Sequence, residues 1–269
     1  MDYEDILPKR NVLGTIRGQR LKFGVKYKKE WTLSFFFSIL VPMEATKPSI
    51  SRRSRNRRNR HELILTVASQ LFASQGYEGT RIEEIAEAAG VAPATVYNYF
   101  STKTNILTAL AMRHARTALP ERRAYIRNPP RDPVEAVQGF ENLLADQALR
   151  TLGRECWRVI LATPYTQPGD RLHRAGIFFN WLIIKHYVKM FDGMRARGVI
   201  GEHVNISELA TLITALGTHH FSLFISDETM TVDALKAGMK AHVHLVFTGV
   251  LGNADARASS RGRKARPAT

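Results

Sequence analysis

The sequence predicts an all-α protein that begins with a three-helix helix-turn-helix domain and continues into a larger helical domain. Two amphipathic segments on either side of a glycine, between residues 80 and 103, predict short helices joined by a tight turn. From residue 103 onward, apolar residues recur at helical spacing between short breaks rich in proline, glycine and polar residues. Both observations favour helices throughout the folded part of the chain.

The domain boundaries follow from composition and from these breaks. We place a disordered basic extension at residues 1–55, the helix-turn-helix domain at 56–103, the helical domain at 104–252 and a disordered basic tail at 253–269. Breaks within the helical domain are expected at 128–133, 163–169, 198–204 and 226–231. Hydrophobic residues make up 44% of the chain, which is typical of a globular protein and excludes a wholly disordered one.

The first two helices have recognisable ends. The first ends at Gly76 and carries an apolar stripe of Leu63, Ile64, Val67, Ala68, Leu71 and Phe72. The second begins at Thr80, whose hydroxyl is expected to accept a hydrogen bond from the backbone at position 83 while Glu83 reaches back to the cap. It ends at Gly90, because a residue without Cβ adopts the left-handed cap conformation easily.

The third helix spans roughly Ala92 to Tyr99, with Pro93 in its first turn, where a missing N–H costs nothing. Helical spacing turns Val96 and Phe100 inward. The residues left exposed are Ala94, Thr95, Tyr97 and Asn98. Small and polar side chains on an exposed helix suit insertion into a DNA major groove. On periodicity alone, two helices of an ordinary helical bundle remain an alternative.

The segment LFASQGYEGTRIEEIAEAAGVAPATVYNYFSTKTNIL resembles the DNA-binding domain of the TetR/AcrR family of transcriptional regulators. The resemblance covers roughly residues 57–110 and rests on three motifs: F-x-x-x-G-Y-x-x-T, I-A-x-x-A-G-V and V-Y-x-Y-F-x-x-K. Thr104 and Asn105 depart from the pattern, since the family usually carries acidic residues there. The first turn of the following helix is therefore less acidic than in the family.

The resemblance implies roles for individual residues. Thr80 and Lys103 would contact phosphates, Tyr97 the DNA backbone, and Thr95 and Asn98 base edges or nearby phosphates. The full set of expected DNA-binding residues is Arg57, Arg58, Thr80, Arg81, Ala92, Ala94, Thr95, Tyr97, Asn98, Tyr99 and Lys103. The alternatives are a solvated surface lysine for Lys103 and a plain exposed polar residue for Asn98.

The net charge of +15 lies mainly at the two ends of the chain. Residues 1–60 contain 15 Lys/Arg and 5 Asp/Glu, residues 253–269 contain 5 and 1, and residues 61–252 carry a net +1. Six arginines between residues 52 and 60 adjoin the first helix, and a flexible arm of this kind can lie in the minor groove beside a helix-turn-helix. The alternative is a solubilising charge run without fixed contacts.

Other chemistry finds little support in the sequence. The single cysteine, Cys156, beside Trp157, is expected to be a small core residue in a reducing cytoplasm. Adjacent His219 and His220, and the pair two apart at 242 and 244, lack the spacing of a local metal site. No glycine-rich phosphate loop, GxSxG or HExxH motif occurs. We therefore expect no catalytic residues, no metal and no cofactor, and an enzyme is the least favoured class.

The first 42 residues raise two further hypotheses. Trp31 to Val41 is an apolar run too short to span a bilayer as a helix, which needs about 20 residues. A membrane-attached protein using this run and its basic flanks is nevertheless the competing functional class, and cell fractionation distinguishes it from a soluble regulator. The second hypothesis is that Met43 is the native start and that residues 1–42 are upstream sequence translated in error.

The last two helices, expected at 207–225 and 232–251, carry broad apolar stripes, whereas the segment 169–197 is apolar over a wide arc and should lie centrally. The family resemblance implies that the last two helices pair across a two-fold axis in a four-helix bundle, so that a homodimer binds a near-palindromic double-stranded DNA operator. The alternative is an internal core within one subunit. The resemblance also implies a cytoplasmic repressor released by a small-molecule effector, with the helix that starts at Ser101 as the lever.

The expected effector pocket lies inside the helical domain. Its candidate residues are Phe140, Trp157, Tyr165, Phe178, Trp181 and Tyr187, although aromatic residues at helical spacing are usually core. No arginine or buried acidic pair is clearly placed to bind a charged group. We therefore expect a hydrophobic or aromatic small molecule.

Overall fold

The computed structural model describes two short strands near the N-terminus, residues 51–249 with their side chains, and the helical backbone of residues 250–263. The chain divides into two compact units, residues 1–50 and residues 51–269. In the first unit, strands β1 (Gly14–Ile16) and β2 (Gln19–Leu21) pair antiparallel with Thr15 opposite Arg20. Trp31 to Val41 and Met43 lie outside the described residues.

The second unit is helical throughout its described residues, so the all-α prediction is confirmed for the folded body. Its helices are α1 (Arg52–Gln75), α2 (Ile82–Ala88), α3 (Pro93–Phe100), α4 (Lys103–Arg127), α5 (Pro133–Thr151), α6 (Arg154–Thr166), α7 (Arg171–Ala196), α8 (Ile206–Ser226) and α9 (Val232–Arg263). The four predicted breaks in the helical domain fall at or beside the loops that separate these helices. A fifth break, at Leu152 and Gly153, was not predicted; there Gly153 caps the start of α6.

Both predicted disordered segments contain regular structure, so their boundaries need correction. The extension assigned to residues 1–55 contains β1 and β2, where the β-branched Thr15 and Ile16 favour a strand. It also contains the start of α1, because the Ser51 hydroxyl accepts a hydrogen bond from the Ser54 N–H at 3.2 Å and caps the helix there. At the other end α9 extends to Arg263, since residues 252–263 contain alanine and arginine and no proline.

Two clusters of buried residues form the core. The first joins α1, α2 and α3 to the start of α4 and continues into α5, α6 and the end of α8, with Ile64, Ile85, Val96, Leu107 and Ile160 among its members. The second lies between α4, α5, α7, α8 and α9. Helix α7 packs against α4, α6 and α8, as its wide apolar arc predicts. The helix-turn-helix domain therefore shares one continuous core with the helical domain.

Candidate functional site

The third helix presents the surface that the sequence predicts. Val96 and Phe100 are 0% and 5% exposed, whereas Ala94, Tyr97 and Asn98 are exposed and Thr95 is half-buried. Gly90 has φ +64°, and the next residue's N–H donates to the Ala86 carbonyl at 2.9 Å. This left-handed turn reverses the chain between α2 and α3. It leaves the small and polar face of α3 open to a partner.

The two tyrosines of α3 have different environments. Tyr97 is 44% exposed, and its hydroxyl donates to the Glu83 carboxylate at 3.2 Å, which raises the pKa of Tyr97. Tyr99 is half-buried, and its hydroxyl donates to the Arg57 carbonyl of α1 at 3.3 Å. Tyr97 is therefore available to an incoming ligand, whereas Tyr99 fixes α3 against α1.

The predicted role of Thr80 as a helix cap is wrong. Its side chain is buried, and its hydroxyl donates to the Gly76 carbonyl at 2.7 Å. The cap is instead Arg81, one residue later. The Arg81 N–H donates to the Glu84 carboxylate at 2.9 Å, so Glu84 makes the reciprocal contact that was expected of Glu83. A phosphate contact through the Thr80 hydroxyl is also excluded in this conformation, whereas Arg81 is exposed.

Lys103 lies in a place that neither the phosphate-binding prediction nor the surface alternative describes. Its ammonium donates to the carbonyls of Tyr77, Glu78 and Thr80 at 2.8, 3.2 and 3.1 Å and lies 4.5 Å from the centre of the Tyr77 ring. An ammonium has three N–H donors, so these contacts use all of them. Lys103 therefore closes the loop between α1 and α2, and the phosphate contact that the resemblance implies stays a prediction.

The arginine run is not a flexible arm, which corrects the prediction for Arg57, Arg58 and their neighbours. All six arginines between residues 52 and 60 lie on α1, because the helix already starts at Arg52. Their side chains are exposed, and none forms an ion pair with any residue of the range 51–249. Nine residues of helix span about 13 Å. The arginines thus form a fixed basic surface beside the helix-turn-helix.

A cavity of about 190 Å³ lies within the helical domain, where side chains from each of the helices α4 to α9 form its wall. Small residues make the space, among them Ala145, Ala148, Gly176 and Gly217. Trp157 and Phe179 contribute large apolar surfaces. Polar groups are few, and a mostly apolar wall with a few polar groups is the usual form of a small-molecule site.

Arg122 is the most unusual residue in the cavity wall. It is 5% exposed; its Nε donates to Gln147 Oε1 at 2.7 Å, and its Nη2 lies 3.4 Å from His114 Nε2. Burial lowers the pKa of Arg122 to about 10, so the guanidinium remains charged at neutral pH. Burial lowers the pKa of His114 to about 4, with Arg122 adding to the effect, so this ring is neutral.

Glu141 is the second ionisable residue in the wall. Its carboxylate accepts a hydrogen bond from the Tyr187 hydroxyl and lies against Gly217, where a Cβ would come within 2.7 Å of the Glu141 oxygens. Burial raises the pKa of Glu141 to about 7, although Tyr187 and Arg122 act in the opposite direction. Nearby, Gln138 Oε1 is buried without a hydrogen-bond partner. The cavity thus offers both donors and acceptors.

Most of the residues predicted to line the effector pocket lie elsewhere in the structure. Trp157 lines the cavity, and Tyr187 reaches it indirectly through Glu141, but Phe140, Tyr165, Phe178 and Trp181 do not line it. Phe140 is fully buried, Tyr165 is 89% exposed, and the buried Phe178 stacks on Trp181, which is 37% exposed. Phe140 and Phe178 occupy the core because large rings fill space, whereas the cavity lies where small residues leave room.

From the sequence, no arginine and no buried acidic pair was placed at the pocket, whereas Arg122 and Glu141 both line the cavity. A signal was present in the sequence, because Arg122 stands at helical spacing in the apolar stripe of Ala115, Ala118, Leu119 and Ile126. Glu141 similarly falls between Val137 and Leu144 on the inner face of α5. A charged residue in the middle of an apolar stripe needs an internal partner or a ligand.

The histidines of α8 and α9 and the single cysteine were considered as a metal site and as a reactive thiol. His220 Nε2 lies 2.7 Å from His242 Nδ1, so the two histidine pairs of the sequence meet across α8 and α9. Among the described residues, no group of three or more His, Cys, Asp or Glu side chains could hold a metal ion. Cys156 is 1% exposed, and burial raises the pKa of its thiol to about 12, as suits a core residue.

Helices α8 and α9 leave an apolar face without a partner among the described residues. Leu212 and Leu223 on α8 are each 46% exposed, and Leu245 on α9 is 67% exposed. Between them lie small exposed residues, including Ala215 and Ala241. By length and composition α8 could also cross a membrane, with a mean hydropathy of 1.3, and it is the one described helix that could. Its inner side, with Ile213 and Phe224, is part of the core.

The head of the chain matches a known family. Residues 64–110 match the family described as "Bacterial regulatory proteins, tetR family". The HTH-type transcriptional activator FasR of Mycolicibacterium smegmatis is 35% identical over 71 residues, which are 25% of this chain and 32% of FasR. The mycofactocin biosynthesis regulator MftR of Mycobacterium tuberculosis is 31% identical over 134 residues, 48% of this chain and 65% of MftR. Each of these matches spans less than two thirds of the relative's length.

Solved structures share the fold over more of the chain. A TetR-family transcriptional regulator from Pectobacterium atrosepticum has a TM-score of 0.58 and 18% identity, with 74% of this chain and 96% of that chain covered. Thermus thermophilus FadR, a TetR-family transcriptional repressor in complex with lauroyl-CoA, has a TM-score of 0.55 and 20% identity, with 70% and 94% covered. At such identities the likeness concerns the fold alone.

A helix-turn-helix domain followed by a helical domain is the arrangement of a class of all-α transcriptional regulators. Within that class, the three motifs of the head and the family match over residues 64–110 identify the family. Residues 64–110 therefore carry the DNA-binding domain of the TetR family, and the chain as a whole has the fold of TetR-family regulators of known structure.

Proposed function

We propose that this protein is a cytoplasmic repressor that binds a near-palindromic operator as a homodimer and releases it when a small molecule occupies the cavity. The observation that carries the DNA-binding part is the orientation of α3. Its apolar residues Val96 and Phe100 are buried, and Ala94, Tyr97 and Asn98 face outward beside the arginines of α1. Small side chains permit close approach to a major groove, and the arginines supply sequence-independent attraction to phosphates.

Selection of binding sites from random duplex DNA tests this part. We expect wild-type protein to enrich a two-fold symmetric site whose half-sites lie about 34 Å apart, one turn of B-DNA. Asn98→Ala should relax base preference at one position of each half-site, at a cost of about 1 to 3 kcal/mol. Asn128→Ala, which changes an exposed residue at the end of α4, is the control. Failure to enrich any site over random competitor would exclude sequence-specific binding.

The homodimer is supported by the exposed leucines of α8 and α9. A subunit that buries Leu212, Leu223 and Leu245 against a second copy removes apolar surface from water, at about 25 cal/mol per Å². Light scattering should give a dimer at micromolar concentration for the wild type. Leu223→Glu should give a monomer, whereas Tyr165→Glu, at an exposed aromatic residue of α6, should leave the dimer intact. A wild-type monomer would contradict the proposal.

Repression and release by a ligand are supported by relatives. FadR is named as a repressor and was solved with lauroyl-CoA, whereas FasR is named as an activator. Expression from a promoter that carries the selected site should rise when the gene is deleted, and a fall would instead indicate activation. The competing membrane-attached protein predicts recovery in the membrane fraction, whereas a regulator predicts a soluble pool.

A further inference from the structure

The cavity contains a buried positive charge without a counterion in contact. Arg122 is 5% exposed, and its two hydrogen-bond partners, Gln147 and His114, are both uncharged. Within residues 51–249 nothing accepts a hydrogen bond from its Nη1, and no carboxylate lies within 4 Å of the guanidinium. Glu121 and Glu141 act on this charge only from beyond contact distance and favour the charged form, so a buried guanidinium in this state is stabilised further by an anion that pairs with it directly. The Arg122 side of the cavity is therefore suited to a negatively charged group.

Most of the surface that the rest of the wall presents is apolar, and the cavity is of limited size. Leu144, Trp157, Ile160, Phe179, Ile183 and Phe221 surround the space. A cavity of about 190 Å³ has room for one aromatic ring with a short side chain, since an apolar cavity of roughly 150 Å³ is enough to hold benzene. The occupant that fits is compact and mainly hydrophobic, with its polar group at one end.

We propose that the effector is a small amphipathic carboxylate, whose anionic group pairs with Arg122 and whose apolar body fills the space against Trp157 and Phe179. This proposal rests on the proposed regulatory function and names the chemistry of its ligand. It differs from the uncharged hydrophobic effector that the sequence predicts. The planar guanidinium suits a carboxylate because two parallel N–H groups can donate to its two oxygens.

Other ionisable groups around the cavity set a pH dependence. They are His114, Glu121 and Arg122 of α4, Glu141, Asp146 and Arg150 of α5, Tyr187 of α7, His220 of α8, and Lys236 and His242 of α9. Helix α6 adds to the wall the uncharged Trp157, Ile160 and Leu161. Asp146 and Lys236 pair with each other at 3.0 Å, so their charges offset. Glu141, whose pKa is about 7, is neutral in mild acid and anionic above neutrality, where it repels a bound carboxylate.

Three probes of one skeleton test the proposal by calorimetry on the free protein: 3-phenylpropionate, 3-phenylpropan-1-ol and 3-phenylpropylamine. We expect the acid to bind at least about tenfold more tightly than the alcohol, because a charge-assisted hydrogen bond adds about that much affinity. The amine should bind more weakly than either. Tightest binding by the amine would assign the charged group to Glu141 and overturn the proposal, as would equal affinities of acid and alcohol or no measurable binding of the acid.

Two variants separate the residues. Arg122→Met should lower the affinity for 3-phenylpropionate by about tenfold or more and leave the affinity for the alcohol unchanged, so that binding of the alcohol also verifies folding. In the wild type, affinity for the acid should fall by about tenfold between pH 6 and pH 8 as Glu141 ionises. Glu141→Gln should remove that pH dependence. An unchanged affinity of Arg122→Met for the acid would overturn the proposal even if the pH dependence were present.

These measurements need no DNA, so they distinguish the ligand proposal from the regulatory one. Binding of the acid without any effect on operator binding would support the ligand class and contradict the regulatory function. Specific operator binding by a protein that does not bind the acid would support the regulatory function and contradict the ligand class.

Discussion

The carboxylate of Glu155, in the first turn of α6, accepts a hydrogen bond of 2.7 Å from the backbone N–H of Glu78, in the loop that precedes α2. The same carboxylate fills the space beside Gly76, where a Cβ would lie 2.1 Å from it. Two residues further along α6, Trp157 forms part of the cavity wall and donates to the Ala148 carbonyl at 3.1 Å. Helix α6 therefore contacts both the helix-turn-helix and the cavity. It is a second link between them, besides α4, which was expected from the sequence to act as the lever.

Removal of this contact should loosen the loop between α1 and α2. In Glu155→Ala the Glu78 N–H loses its acceptor, and we expect faster amide hydrogen exchange in residues 77–80, measured by mass spectrometry. Glu155→Gln keeps an acceptor oxygen and is the matched control, with exchange close to that of the wild type. Unchanged exchange in the alanine variant would mean that the loop is held by other contacts, and α6 would lose its place as a link.

Lys103 holds the same loop from the other side, which yields a prediction about stability. In Lys103→Ala three backbone carbonyls lose a charged donor, and we expect the free energy of unfolding to fall by about 2 kcal/mol. Urea denaturation measures the change, with Lys189→Ala on the exposed side of α7 as the control. If Lys103→Ala unfolds at the wild-type urea concentration but loses DNA affinity, the phosphate contact implied by the family resemblance is the correct role.

Val96 and Lys103 differ in whether the local sequence predicts the position of the side chain. The burial of Val96 and Phe100 is predictable because helical spacing fixes which residues share a face. The position of the Lys103 ammonium depends on where a loop 23 to 26 residues earlier places its carbonyls, which no local pattern contains.

The cavity shows the same limit. Apolar periodicity predicts that α4 to α9 are helical, and composition predicts four of the five breaks between them, but a void depends on how side chains from six helices meet. Of the aromatic residues expected to line it, Trp157 does so, Phe140 and Phe178 are buried in the core, and Tyr165 is exposed. The sequence does contain one signal of the cavity, which is the charged Arg122 in an apolar stripe. A buried charge needs a partner or a ligand, and apolar packing provides neither.

The helical arginines of α1 should govern the salt dependence of DNA binding. Replacing Arg52, Arg53, Arg55 and Arg58 with glutamine should lower the slope of log affinity against log salt by about 3 to 4 per subunit. The control replaces four exposed arginines far along the chain, namely Arg123, Arg127, Arg171 and Arg174. Fluorescence anisotropy at several salt concentrations measures both slopes. An equal decrease in the control would assign the effect to net charge and not to the surface formed by α1.

Buried histidines should make the fold sensitive to acid. His114 Nδ1 lies 2.6 Å from the Thr151 hydroxyl, and its Nε2 faces Arg122 Nη2, which can only donate, so the neutral ring carries its proton on Nδ1. The folded-state pKa of about 4 for His114, and likewise for His186, lies below the ordinary value of 6.5. The unfolded chain therefore binds these protons more readily, and stability that is complete above pH 6.5 is lost as the pH falls toward 4.

Each of these two histidines should contribute an acid-dependent loss on the order of 3 kcal/mol. Urea unfolding at pH 7.5 and at pH 4.5 measures the loss in the wild type and in His114→Gln, which keeps a donor and an acceptor near Thr151 and Arg122 without a group that titrates. We expect the variant to lose about 2 kcal/mol less than the wild type over this interval, because protonation of the ring is no longer required on unfolding. His219→Gln, at an exposed position of α8, should behave as the wild type. The same acid-dependent loss in His114→Gln as in the wild type would mean that carboxylates, and not this buried ring, determine the acid sensitivity.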